Sequence, residues 1–159
     1  MKKLILFLAL VLGAGLMSLS TATFAAERAS AEEAQKFVKN AVAYLKKHGA
    51  QKAFADFADT GNAQFHDRDL YLFVYDFNGY NVAHGNNPKM VGKDLLELRD
   101  VNGKPIIRGF IEAVKDNESG WVEYMWPNPI TKVIEYKSGY VERVGDLIVG
   151  TGIYKPVKK

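Results

Sequence analysis

The sequence predicts an α+β domain: N-terminal helices, then an antiparallel sheet with helices segregated to its faces. Three observations carry this. Apolar residues recur at helical spacing in 31–58 and again in 106–115. From Asp69 onward the remaining segments turn β-branched and aromatic. Two of the junctions between such runs carry hairpin chemistry, Asn78-Gly79 and Pro127-Asn128-Pro129.

Ser30 and Glu33 form a Ser-x-x-Glu capping box, so the first helix starts there. Ala34, Phe37, Val38, Ala41, Tyr44 and Leu45 make one apolar face, with Lys36, Lys39, Lys46 and Lys47 mostly elsewhere. His48-Gly49 is a stop signal, with the glycine suited to a left-handed cap and His48 to the negative end of the helix dipole. A short second helix, "AQKAFADFAD", is expected to bury Phe54 and Phe57. "DLYLFVYD" (Asp69–Asp76) and "YNVAH" (Tyr80–His84) flank Asn78-Gly79 as a hairpin. A polar loop, "GNNPKMVGKDLLELRDVNGKP", leads to a helix over Ile106–Lys115 with apolar Ile107, Phe110, Ile111 and Val114. "GWVEYMWPNPITKVIEYKSGYV" (120–141) is a second, longer hairpin, and "DLIVGTGIY" (Asp146–Tyr154) a fifth strand before a frayed "KPVKK". The first two and last three strands can share one sheet.

The start of the chain reads differently. Met1-Lys2-Lys3, the apolar run Leu4–Met17 and the small-residue end Thr23-Phe24-Ala25 have the three-part pattern of a secretory signal peptide, 1–25. The run is short for a membrane span, which needs about 20 residues. The remainder, 26–159, is expected to be one domain, freely soluble, periplasmic or secreted. Removing Lys2 and Lys3 lowers the formal charge of +3 by two. Without clustered Lys and Arg on one face there is no nucleic-acid footprint. The absence of cysteine excludes thiolate metal sites, redox thiol pairs and Cys-x-x-Cys-His haem attachment.

The long hairpin carries the functional signal. Strand alternation puts Val122, Tyr124 and Trp126 on one face and Trp121, Glu123 and Met125 on the other. On the second arm Val133, Glu135, Lys137 and Val141 share a face, and Ile134, Tyr136, Ser138 and Tyr140 share the opposite one. Neither face is purely polar, so the sheet is expected to be covered on both sides: by the first helix on one, and by the segment 85–115 on the other. A loop-rich lid over an aromatic sheet makes a small cavity with a few polar groups reaching in. Lys137, mid-strand among aromatic rings, then needs an anion beside it. Glu123 or Glu135 could supply it; otherwise the anion is a ligand, with a carboxylate the obvious kind. His84 fits either a structural or a pocket role. Arg108, on the lid helix, fits a surface role or a fork onto a carboxylate. "DFNG" and "DVNG" echo calcium loops but lack the further ligand positions and the terminal glutamate, and turn chemistry explains both. The histidines have no metal-like spacing, and no base–nucleophile pair is visible.

Read together, "FVYDFNGYNVAH", "NPKMVGKDL", "DVNGKP", "GWVEYMWPNP", "KSGYV" and "VGTGIY" strongly resemble the second type of single Cache domain, the extracellular sensor module of bacterial chemoreceptors and histidine kinases. The resemblance runs from about Ser30 to Tyr154. It implies a PAS-like Cache fold, with a long N-terminal helix and a five-stranded antiparallel sheet whose lid encloses a ligand. It implies a short organic acid as that ligand; no cofactor is expected, and with no base–nucleophile pair visible the chain is not expected to be an enzyme. By matching position it assigns ligand binding to His84, Tyr124, Trp126, Lys137 and Tyr140, and less directly to Arg108. Lys137 and Tyr140 have opposite strand parity unless a bulge, for instance at Gly139, intervenes; "YKSGYV" also departs slightly from the family's pattern there. Family receptors usually add a second transmembrane helix and a cytoplasmic signalling domain. This chain ends at Lys159, so it is expected to act through a separate partner, such as a membrane-bound receptor or histidine kinase. Two other readings remain open: an interaction module with a vestigial pocket, and a small enzyme using His84 as general base.

Overall fold

A computed structural model describes residues 28–155. The expected signal peptide, 1–25, and the last four residues lie outside them.

Helix α1 spans Ala31–His48 and α2 spans Ala50–Ala58. The capping box forms as expected: Ser30 Oγ accepts from the Glu33 amide at 3.2 Å, and the Glu33 carboxylate accepts from the Ser30 amide at 2.7 Å. Gly49, at φ 80°, separates the two helices in a conformation that a side chain would strain. The buried stripe of α1 is Ala34, Val38, Ala41, Val42 and Leu45. In α2, Phe57 is fully buried while Phe54 is only partly so.

The segment 69–76 is broken in two. Strand β1 (His66–Asp67) pairs with β2 (Leu70–Tyr71) in a two-residue ladder that turns at Arg68, φ 55°. Strand β3 (Phe73–Asp76) then joins β4 (Asn81–His84) in the expected hairpin. Asp76 Oδ1 accepts from the Asn78 and Tyr80 amides, both at 2.9 Å. Gly79, φ 89°, lies against Leu96, where a Cβ would come within 2.7 Å. Helix α3 (Ile107–Lys115) starts one residue later than predicted. The chain ends with β5 (Ser119–Pro127), β6 (Ile134–Val144) and β7 (Leu147–Lys155).

These strands form one five-stranded antiparallel sheet in the order β4-β3-β7-β6-β5. Its two faces carry separate cores. One packs Leu72, Val74, Val149 and Tyr140 against Val38, Ala41, Leu45 and Phe57 of the N-terminal helices. The other packs Phe73, Tyr75, Val122, Tyr124, Val141 and Ile148 against Ile106, Ile107, Phe110 and Val114.

The lid loop is anchored along both sheet edges. Beside β4, Asn81 exchanges backbone hydrogen bonds with Gly92 and Lys93, and Leu95 N donates to Gly79 O at 3.0 Å. Beside β5, Asp100 Oδ2 accepts from the Met125 amide at 2.9 Å. Its Oδ1 accepts from the Asn102 and Lys104 amides, so the "DVNG" turn engages its aspartate with backbone donors. The edge strands are thereby covered over part of their length.

Candidate functional site

Between the sheet and the lid lies a narrow cavity of about 10 Å³, the space of roughly one water molecule. The sheet contributes Phe73, Tyr75, His84, Tyr124, Trp126 and Lys137, and β2 adds Tyr71; the lid contributes Leu98, Ile106, Ile107 and Phe110. Strand register explains the assembly. Tyr124 pairs directly with Lys137 across β5 and β6, and Phe73 pairs with His84 across β3 and β4. Alternation brings Phe73 and Tyr75 of β3 to the same face, and Tyr71 joins them from the end of β2.

Lys137 is the electrostatic centre. It is 1 % exposed, and its Nζ donates to the Tyr71 hydroxyl at 2.8 Å. The ammonium position lies 4.0 Å from the Tyr71 ring centroid, 4.8 Å from that of Tyr154 and 5.7 Å from that of Phe73. Those ring faces attract a cation. Among the described residues no carboxylate forms an ion pair with it. Burial holds its pKa well below the usual lysine value; the charge of Asp69 opposes this without overcoming it. An anion in the cavity would restore the ammonium form.

Both glutamates that could have neutralised Lys137 are engaged elsewhere. Glu123 meets Lys155 at the surface, at 3.1 Å. Glu135 takes Arg28 at 2.6 and 3.1 Å, together with Asn128 and Thr131.

His84 is a neutral donor. Its Nδ1 accepts from the Asn86 amide at 3.2 Å and the Asn87 amide at 3.0 Å. Two N–H groups aimed at Nδ1 leave the imidazole proton on Nε2. Burial, aided by the nearby Lys137 charge, depresses its pKa to about 3. It therefore carries no charge near neutrality, and an imidazole with so low a proton affinity is a weak general base. Burial pushes the Tyr71, Tyr75 and Tyr124 hydroxyls up, so all three stay protonated.

Four of the six predicted residues, His84, Tyr124, Trp126 and Lys137, meet in this cavity. Tyr140 does not. The β5–β6 register runs without a bulge from Ser119 to Pro127, so Gly139 does not reverse the parity. Tyr140 belongs to the helix-side core, stacks near Trp121 at 5.0 Å between ring centroids and donates to Glu142 at 2.8 Å. Arg108 is likewise outside. It is exposed on α3 and paired with Glu97, its Nε 2.9 Å from the carboxylate. Tyr71, Phe73 and Tyr75 are cavity residues that the prediction missed, although the odd-numbered spacing of Phe73 and Tyr75 puts those two on one face.

Comparison with known proteins agrees with this architecture. The sequence matches the family described as Single Cache domain 2 over residues 8–155. The chain belongs to that family. The match begins inside the segment read as a signal peptide. This Cache domain is 28 % identical over 91 residues to the methyl-accepting chemotaxis protein McpP of Pseudomonas putida. It is 34 % identical over 89 residues to the sensor histidine kinase MctS of Rhizobium johnstonii. Those segments cover 56 % and 55 % of this chain but only 17 % and 19 % of the relatives, so the chain spans less than a fifth of either.

Solved structures place the fold in the same group. A methyl-accepting chemotaxis protein from Vibrio parahaemolyticus superposes with a TM-score of 0.68 at 29 % identity, over 77 % of this chain and 86 % of that one. A Cache chemosensory domain described as recognising carboxylic acids superposes with a TM-score of 0.65 at 23 % identity, over 77 % and 91 %. The α+β expectation, with a helical N-terminus and a five-stranded antiparallel sheet, holds. Among the described residues no helix is long and apolar enough to cross a membrane.

Proposed function

We propose that this Cache domain binds a small carboxylate under its lid and acts in signal perception outside the cytoplasm, through a membrane-bound receptor or histidine kinase. The observation that carries the reading is Lys137, a fully buried lysine with no carboxylate partner among the described residues. A ligand carboxylate supplies the missing charge. The Nε2–H of His84 and the hydroxyl of Tyr124 are neutral donors on the same cavity. Phe110, Ile106, Ile107 and Trp126 suit a short apolar tail. The carboxylic-acid recognition described for one structural neighbour, and the chemotaxis and kinase relatives, point the same way. A cavity of about 10 Å³ must widen even for acetate, which favours acids of two to four carbons.

The test is calorimetric titration and thermal melting of the purified protein, refolded from denaturant to strip carried-over ligand. The panel is acetate, propanoate, pyruvate, lactate, succinate and amino acids. A ligand at a hundred times its Kd stabilises the folded state by about 2.7 kcal/mol. A saturable signal with one short monocarboxylate is expected. A flat panel, or binding of amino acids alone, overturns the reading.

A further inference from the structure

The hydrogen bonds around Lys137 have directions fixed from outside the cavity. The Pro127 carbonyl can only accept, so the Tyr154 hydroxyl 3.0 Å away donates to it. A hydroxyl has one proton, so the Tyr154 oxygen accepts from Tyr71, 3.1 Å away. With its proton directed at Tyr154, Tyr71 presents only lone pairs to Lys137 Nζ at 2.8 Å. Tyr154 stands directly opposite Lys137 in the β6–β7 register and lies outside the set of cavity-lining residues. Two residues earlier, Gly152 leaves room for the lysine stem: a Cβ there would come within 2.6 Å of Lys137 Cε.

We infer that Tyr154 is a positioning residue for the carboxylate anchor, holding the Tyr71 proton away from the cavity so that Tyr71 acts purely as an acceptor orienting the Lys137 ammonium. The consequence for affinity rests on the carboxylate reading above. The effect on Lys137 itself does not need a ligand. Without the Tyr154 hydroxyl, the buried Tyr71 proton loses its acceptor and turns toward Nζ or the cavity. A donor facing Nζ favours the neutral amine over the ammonium, so Lys137 gives up its proton at a lower pH. The polar groups around Nζ are Tyr71 from β2, Tyr75 from β3, His84 from β4, Tyr124 and Trp126 from β5 and Tyr154 from β7. Asp69, between β1 and β2, acts at longer range. The lid contributes only Leu98, Ile106, Ile107 and Phe110 to the cavity. Burial keeps the tyrosines protonated and His84 neutral, so the alkaline limb of acid binding reports Lys137.

The test is Tyr154→Phe, which keeps the ring and removes the hydroxyl. Lysine 13Cε NMR on ligand-free protein gives the Lys137 titration midpoint, with Lys137→Met identifying the resonance. Calorimetry against acetate and propanoate gives affinity as a function of pH. The expected result is a lower midpoint, an alkaline limb displaced in the same direction, and affinity at neutral pH reduced about fivefold to tenfold, the worth of one hydrogen bond. An unchanged midpoint and limb, even with a lowered melting temperature, overturns the inference and leaves Tyr154 a structural residue. A lowered midpoint in a protein whose wild type binds no short acid sustains the positioning role while the carboxylate reading falls. Should Tyr154→Phe fail to fold, Tyr71→Phe removes the acceptor directly, and an unmoved midpoint there overturns the inference equally.

Discussion

Glu135 lies two residues before Lys137 on the same face of β6, yet its carboxylate serves Arg28, with oxygen–nitrogen distances of 2.6 and 3.1 Å. Asn128 and Thr131 complete its shell, each at 2.9 Å. The arrangement ties the entry to α1 to the turn between β5 and β6. It also leaves the neighbouring lysine with no ion-paired carboxylate among the described residues. A lysine so buried costs stability in the empty protein, because it must either desolvate its ammonium or give up its proton, and an anionic ligand would relieve that cost.

Lys137→Met tests that tension. Methionine keeps the length and apolar bulk of the side chain while removing the charge. Replacing a buried ionisable group by an apolar one of similar volume removes its desolvation cost. The expected outcome is loss of measurable carboxylate binding together with an unchanged or raised melting temperature. Retained affinity would remove Lys137 from the site.

Glu135→Gln should act on stability and leave the cavity intact. Arg28 holds the Glu135 carboxyl at a pKa of about 2, below its usual 4.5. The depressed folded-state value means its contribution is complete above pH 4.5 and is lost as pH falls through 2. Breaking the charged hydrogen bonds should cost on the order of 2 kcal/mol at neutral pH. Urea denaturation across pH 2–7 checks both claims: the variant should be less stable at pH 7 and should lose less of its stability between pH 4.5 and 2. A wild-type pH dependence in the variant would show that the pair contributes nothing.

Much of this site was legible because alternation is a hard rule within an unbroken strand. Alternation put Tyr124 and Trp126 on one face of the first arm and Lys137 with Glu135 on one face of the second; the structure adds the register that makes these the same face. The same rule argued against Tyr140, which the family resemblance had favoured. Helical spacing could also have separated Arg108 from Ile107, Phe110 and Val114, since the arginine falls off the stripe those residues define. Tyr71 was harder to place. It belongs to a two-residue strand whose partner, His66–Asp67, is too short to show any periodicity. The Tyr71–Tyr154 hydroxyl contact joins residues 83 apart in sequence, and no local pattern encodes it. Neither could the commitment of Glu135 to Arg28, across 107 residues, be read from spacing.

His84→Gln isolates a second pH effect. The folded protein holds His84 neutral down to about pH 3, whereas an unfolded histidine protonates near 6.5. The unfolded state therefore binds the extra proton between these values, and stability falls as pH drops from 6.5 toward 3. Between pH 6.5 and 4.5 this contribution is separate from that of Glu135. Denaturation free energies in that interval should decline in the wild type and decline less steeply in the variant, any remainder coming from Lys137. A parallel decline in both would mean that His84 titrates normally in the folded state.

Leu98→Ala addresses the size of the ligand. The sheet side of the cavity is fixed by cross-strand pairing, so a ligand larger than one water must displace the lid. Phe110 is a poor place to intervene because it is buried in the lid-side core, stacked on Phe73 with ring centroids 5.0 Å apart. Its removal would confound binding with unfolding. Leu98 lines the cavity from the loop and is only partly buried, so truncation should cost about 1–2 kcal/mol, less than a fully buried leucine. The space released accommodates additional methylenes, each worth about 1–3 kcal/mol in an apolar pocket. The affinity ratio of butanoate to acetate should therefore rise about tenfold or more, with acetate itself weakened by the loss of wall contact. Competition calorimetry with the two acids measures that ratio directly. An unchanged ratio would place the ligand's tail away from Leu98 and move the size limit to Ile106 and Ile107.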